Sequence, residues 1–169
     1  MGRISCIPWK KPRIAPETQT KNTDGAIAEI VERSDEIAFG SVTGQGMAFY
    51  GAGITYYLPL TLDKASDVKL RASLYSGAVM EVALDGEVKG KIAYAPFEIE
   101  FSDVAPGEHT VAITLYATRV NTFGALHDCV DRYWKGPDMY YTVGNEWSYE
   151  YNLTPVGILK SPIIEVYEK

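Results

Sequence analysis

Met80-Glu81-Val82-Ala83-Leu84-Asp85-Gly86-Glu87-Val88-Lys89-Gly90-Lys91-Ile92-Ala93-Tyr94 carries the clearest structural signature in the chain. Met80, Val82 and Leu84 recur with the period of two that turns one face of a strand toward a core. Asp85-Gly86 follows, a dipeptide suited to a two-residue hairpin because both positions tolerate positive φ. Val88 to Tyr94 is the return strand. These residues predict an antiparallel hairpin.

The same grammar extends outward on both sides. Upstream, Val68, Leu70, Ala72 and Leu74 alternate with Lys69, Arg71 and Ser73, a strand with one wet face, and Ser76-Gly77 turns. Before that, Phe49 to Leu58 reads as a long strand, whose Gly51 and Gly53 suggest a bulge or a close backbone approach. Gly44-Gln45-Gly46 is a turn, and Ile37 to Gly40 is a short strand. Downstream, Phe97, Ile99 and Phe101 alternate, Ala105-Pro106-Gly107-Glu108 turns, and Val111, Ile113 and Leu115 alternate again. Ile163 to Tyr167 closes the series after Pro162. Short strands separated by turn signals predict an all-β antiparallel β-sandwich spanning 36–169. Residues 1–35 are expected to be a linker or peripheral arm, because Pro8, Pro12 and Pro16 leave no periodic apolar face. Within the arm, Asp24 is placed to cap a short helix with Ile27, Ile30 and Val31 on one side.

Composition excludes several classes. The chain has 169 residues, with 16 basic against 22 acidic side chains and a formal charge of -6. Phosphate binding wants a basic footprint, so no nucleic-acid partner is expected. No apolar run approaches the ~20 residues of a membrane span, and the start Met1-Gly2-Arg3-Ile4-Ser5-Cys6 lacks the apolar core of a signal peptide. The compartment stays open, extracellular or cytoplasmic. Cys6 and Cys129 specify no disulfide framework, and two free thiols are expected. Neither His109 nor His127 has a partner at metal-ligand spacing, which argues against zinc. His109 reads as a surface residue. The glycines at 44, 46, 51 and 53 lack the context of a phosphate loop, and no G-x-S-x-G elbow is present.

The chemistry-bearing stretch follows Leu115. There an apolar strand runs into a polar segment holding Arg119, Asn121, His127, Trp134, Tyr140, Tyr141, Asn145, Trp147, Tyr149 and Tyr151. Trp134, Tyr140, Tyr141 and Trp147 offer flat apolar area for a sugar ring, and Arg119, Asn121, His127 and Asn145 offer hydrogen bonds to hydroxyls. The structural alternative is that these rings form a small core ordering a loop of roughly 40 residues, far longer than most connections. Asp138, Glu146 and Glu150 sit among the rings, and two carboxyls across a cleft are what glycosidic cleavage needs. Anchoring the loop is their commoner use. Asn121 and His127 flank its entry and are expected to hold it through side-chain to backbone hydrogen bonds.

The stretch Gly44 to Tyr56 resembles the strand-opening motif of a C-terminal β-sandwich domain in large bacterial glycoside-hydrolase-like proteins. Val82 to Gly86 with Gly90 to Phe97, Asn121 to His127, and Glu146 to Leu159 are similar to later pieces of the same domain, in the same order over 37–168. The resemblance implies a galactose-binding-like jelly roll of eight or more strands. It also implies a non-catalytic accessory role, bracing a catalytic glycoside hydrolase domain in the parent chain and in some cases contacting oligosaccharide. A stand-alone carbohydrate-binding module and a small β-sandwich glycosidase or lyase are the alternatives. Such sandwiches often hold a structural calcium, for which no ligands are assigned on this sequence.

Overall fold

The hairpin read from Met80 to Tyr94 is present, with Asp85 at φ 51° and Gly86 at φ 85° at its tip. A computed structural model describes residues 3–5, 10–14, 28–32, 37–130 and 132–168. In chain order its strands are β1 (Arg3–Ser5), β2 (Lys10–Ile14), β3 (Ala28–Glu32), β4 (Gly53–Leu62), β5 (Ser66–Arg71) and β6 (Tyr75–Ser76). β7 (Val79–Leu84), β8 (Glu87–Ile92), β9 (Glu98–Val104), β10 (Gly107–Tyr116), β11 (Gly157–Ile158) and β12 (Ile163–Glu168) follow.

The chain is an all-β antiparallel sandwich. One sheet has the order β1-β4-β10-β7-β8, and the facing sheet has the order β12-β5-β9, with the short pair β11-β6 beside them. β10 lies between β4 and β7, pairing Val111 with Leu58 on one side and with Leu84 on the other. The alternating residues read from sequence meet in one buried cluster. Ile54, Tyr56, Met80, Val82, Val111, Ile113 and Leu115 come from the larger sheet, and Val68, Leu70 and Phe101 from the smaller. Each fully buried aliphatic there is worth about 1.5–3 kcal/mol of transfer free energy. That sum is what holds the two sheets together.

Three of the strand expectations change. The long strand begins at Gly53 and runs to Leu62, because the alternation Ile54, Tyr56, Leu58, Leu60, Leu62 continues through Pro59. Phe49 lies in a turn instead, closed by Tyr50 N–H donating to Met47 O. Ile37 to Gly40 is not a strand, although Gly40 N–H and Val42 N–H donate to Ile158 O and Val156 O. Leu74 is 51% exposed, because β5 ends at Arg71 and breaks the period before reaching it.

The helix expected around Ile30 and Val31 is a strand, β3, paired antiparallel with β2. β-branched neighbours favour the pleated conformation over the helical one. Asp24, Ile27 and Cys6 lie outside the described residues. β1 adds an edge strand to the larger sheet, with Ile4 opposite Tyr56. Among the described residues no helix is long and apolar enough to cross a membrane.

His109 is more enclosed than a surface residue. Its ring sits between two turns, with Nδ1 2.7 Å from Asp85 Oδ2 and Nε2 2.8 Å from Ala105 O. Both partners are acceptors, so the ring satisfies both only when it carries two protons.

Candidate functional site

The segment from Ala117 to Val156 leaves β10 at one end of the sandwich and returns at β11. Its first turn is a short helix, α1 (Val120–Phe123), whose N-terminal flank is Arg119. Gly51 lets this turn approach the start of β4. A Cβ at Gly51 would stand 2.8 Å from Thr122 Oγ1 and 3.2 Å from Arg119 Cγ. This is the close backbone approach that the glycines before β4 suggested.

Asn121 is 1% exposed and acts as a clamp. Its Nδ2 donates to Thr154 O at 2.7 Å, and Thr154 N–H donates back to Oδ1 at 2.9 Å. The two ends of the segment are therefore tied by a reciprocal pair, and Asn121 presents nothing to a ligand. His127 does the second part of the expected work, with Nδ1 donating to Ser148 O at 2.8 Å. Around it the chain pairs with itself as a short ladder. Asp128 bridges Trp147, Cys129 N–H donates to Glu146 O, and Ser148 N–H donates to His127 O.

The hub of the segment is a residue that sequence reasoning did not single out. The Asp128 side chain is 0% exposed, with Lys135 Nζ at 3.4 Å and Arg132 Nε at 3.6 Å from Oδ2. Its Oδ1 accepts from Val130 N–H and from the Tyr141 hydroxyl. Burial pushes this carboxyl up, but the Val130 N–H and the Lys135 ammonium outweigh it and hold it below the usual range. Arg132 also pairs with Glu146, whose Oε2 lies 3.1 Å from the Tyr141 hydroxyl. Tyr141 thus shares one proton between two carboxylates. Its own burial and those two acceptors raise its pKa. The only sequence trace of this hub is an acid followed by two bases at 132 and 135. In a segment without helix period, that spacing carries no signal.

The rings divide into two groups. Phe49, Tyr151, His127, Trp147 and Tyr149 form a succession, with centroid distances of 5.0, 4.8, 5.7 and 4.4 Å. It runs from the turn before β4 out to Tyr149, which is 86% exposed. Trp134 and Tyr140 lie elsewhere and are also exposed, with the Tyr140 hydroxyl donating to Phe123 O. Asn145 is exposed, and its carbonyl faces the Cys129 thiol, which is free.

Of the expected sugar-contacting set, Trp134, Tyr140, Arg119 and Asn145 reach the surface. Tyr141 and His127 are held inside the hydrogen-bonded framework, and Trp147 is half-buried between His127 and Tyr149. The structure brings Tyr141 to Glu146 but does not gather the eight residues around one cleft. Asp138 and Glu150 are exposed.

Calcium needs six to eight oxygen ligands with carboxylates among them. No group of three or more His, Cys, Asp or Glu side chains converges among the described residues. Their one buried carboxylate, Asp128, is already neutralised by Lys135 and Arg132.

No family model and no curated protein matches this sequence. Among solved structures the chain is similar to a rhamnosidase from Novosphingobium sp. PP1Y, at 20% identity and a TM-score of 0.50. That likeness covers 73% of this chain and 12% of the rhamnosidase. A GH2 beta-galacturonidase from Eisenbergiella tayi matches at 18% identity and a TM-score of 0.47, over 99% of this chain and 24% of that one. A beta-D-glucuronidase from Dictyoglomus thermophilum matches at 14% identity and a TM-score of 0.42, over 100% and 28%. The chain thus spans only a small part of each enzyme. The rhamnosidase likeness is one of fold, and the fold it supports is the antiparallel β-sandwich described above.

Proposed function

We propose that this chain is a non-catalytic accessory domain of a carbohydrate-active enzyme, a galactose-binding-like sandwich bracing a glycoside hydrolase domain. The observation that carries the reading is the ring succession from Phe49 to Tyr149. It ends in solvent on a segment pinned by Asn121 and Asp128. Rigid, half-covered aromatics at one end of a sandwich suit a docking face, since aromatic anchors supply contact area with little ordering cost. The fold likeness to a 12% portion of a rhamnosidase supports the same reading.

The two carboxylates of the hub are poorly placed for hydrolysis. An acid catalyst needs a raised pKa and an open face toward the sugar. Asp128 has a lowered pKa and no exposed side-chain surface, and Glu146 is held by Arg132 and Tyr141.

The test has two arms. Assayed alone against aryl glycosides, the protein is expected to show no turnover; turnover abolished by Glu146→Gln would replace this reading with a small sandwich glycosidase. Where the coding frame joins the chain to a catalytic domain, Tyr149→Ala and Tyr151→Ala should lower the melting temperature of the two-domain protein. Tyr149→Ala, at the exposed end, should leave that of the isolated sandwich nearly unchanged, and Tyr151→Ala, which also loses its contacts with Phe49 and His127, should lower it less than that of the two-domain protein. An unchanged two-domain melt would refute docking through these rings.

A further inference from the structure

Trp134 is folded back onto its own turn. Although it is 67% exposed, its Cη2 and Cζ3 lie so close to Gly136 that a Cβ there would meet them at 2.1 and 2.5 Å. Gly136 is buried. The far edge of the indole is therefore seated on backbone while most of the ring stays in water. Asp138 Oδ1 lies 2.9 Å from the same Cβ position, which puts a carboxylate beside that edge. Asp138 is the middle residue of the 3-10 turn Pro137–Met139 and is exposed, and no ion pair or hydrogen bond occupies its carboxylate among the described residues. The nearby cations in sequence, Arg132 and Lys135, are committed to Asp128 and Glu146.

We propose that Trp134 and Asp138 form a binding site for a neutral pyranose, which gives the accessory domain of the preceding reading a ligand of its own. A seated indole offers its face to the C–H surface of a sugar ring without losing rotamer freedom on binding. A free carboxylate beside it can accept hydrogen bonds from two hydroxyls. The same carboxylate repels uronic acids and phosphates. A lone ring makes no aromatic cage for a quaternary cation. A neutral sugar remains. The ring succession ending at Tyr149 takes no part.

The experiment is a titration of the protein, by calorimetry and tryptophan fluorescence, with methyl β-galactopyranoside, methyl α-rhamnopyranoside, cellobiose and xylobiose. Galacturonate and phosphocholine are the charged comparators. At least one neutral probe should saturate with Kd on the order of 0.1–10 mM, as expected for a single exposed platform. Trp134→Ala should weaken it by at least about tenfold, and Asp138→Asn by roughly threefold to tenfold. Gly136→Ala is the sharper variant. Gly136 has φ −118°, open to any residue, so the added methyl unseats the indole without straining the backbone. It should weaken binding as far as Trp134→Ala does while circular dichroism stays native. Failure of every neutral probe to saturate overturns the site, as does undiminished binding by folded Trp134→Ala or tighter binding of a charged probe. Each of these leaves the accessory-domain reading to its own turnover and docking assays.

Discussion

Replacing Asn121 by alanine removes both halves of the clamp that joins α1 to Thr154. The wild-type amide is 1% exposed and makes two bonds, at 2.7 and 2.9 Å, to the Thr154 carbonyl and N–H. A typical intramolecular hydrogen bond contributes about 1 kcal/mol net, and an unsatisfied buried partner costs about 1–3 kcal/mol. Thr154 is itself exposed, so water can re-solvate its freed groups and the lower part of that range applies. The expected loss is about 2 kcal/mol, or roughly 4–8 °C in melting temperature for a chain of this size. Urea denaturation followed by circular dichroism measures it directly. Asn121→Asp should lose at least as much, because it keeps the acceptor for Thr154 N–H but sets a buried carboxylate oxygen against the Thr154 carbonyl. A loss below about 0.5 kcal/mol for Asn121→Ala would refute the clamp, being indistinguishable from an ordinary surface substitution.

The His109 clip predicts a pH dependence with a definite sign. The hydrogen bond to Asp85, then that to the Ala105 carbonyl, raises the His109 pKa above its ordinary 6.5, and the same ring lowers Asp85 below its ordinary 3.8. The His109 contribution is therefore complete below about pH 6.5 and lost as pH rises through the raised value; the Asp85 contribution is complete above about pH 3.8 and lost as pH falls through the lowered one. Between pH 5 and pH 9 the wild type should lose up to about 3 °C more than His109→Gln, since the pair is partly solvated; parallel profiles would dismiss the clip. Asp128→Ala should open the segment from Val130 to Val143 to limited proteolysis by on the order of tenfold, while far-UV circular dichroism shows the sandwich intact. An unchanged cleavage rate would mean that Asp128 is not its hub.

The two sheets could be read residue by residue because alternation is a local consequence of the pleat. Met80, Val82, Leu84, Val111, Ile113 and Leu115 face inward for the same reason that they recur every second position. Asp85-Gly86 marks its turn by the φ angles that only a few residues tolerate. Where the sequence reading slipped, local pattern met an override. Leu74 continues a period that its strand has already abandoned. Ile30 and Val31 fit one face of a helical wheel, yet they pair in a ladder that their neighbours do not announce.

The loop divides in the same way. Asn121 and His127 could be picked out as anchors, because short polar side chains at a loop entry commonly bond backbone. Asp128 could not, since its importance comes from burial beside Lys135, Arg132 and Tyr141, and side chains do not declare burial in an irregular segment. The indole of Trp134 was visible as an aromatic in a polar stretch, but its seat on Gly136 was not.

What the sequence determined by itself is the repetition: strand period, turn positions and a charge balance unsuited to nucleic acid. Each of these follows from the chemistry of neighbouring residues. What only the tertiary structure decided is which polar groups are spent internally and which remain free. Asn121, Tyr141 and His127 are committed to partners 33, 13 and 21 positions away, whereas Asp138 has none among the described residues. Hydrogen-bond commitment depends on distances between segments remote in sequence, and these exist only once the two sheets have closed on their core.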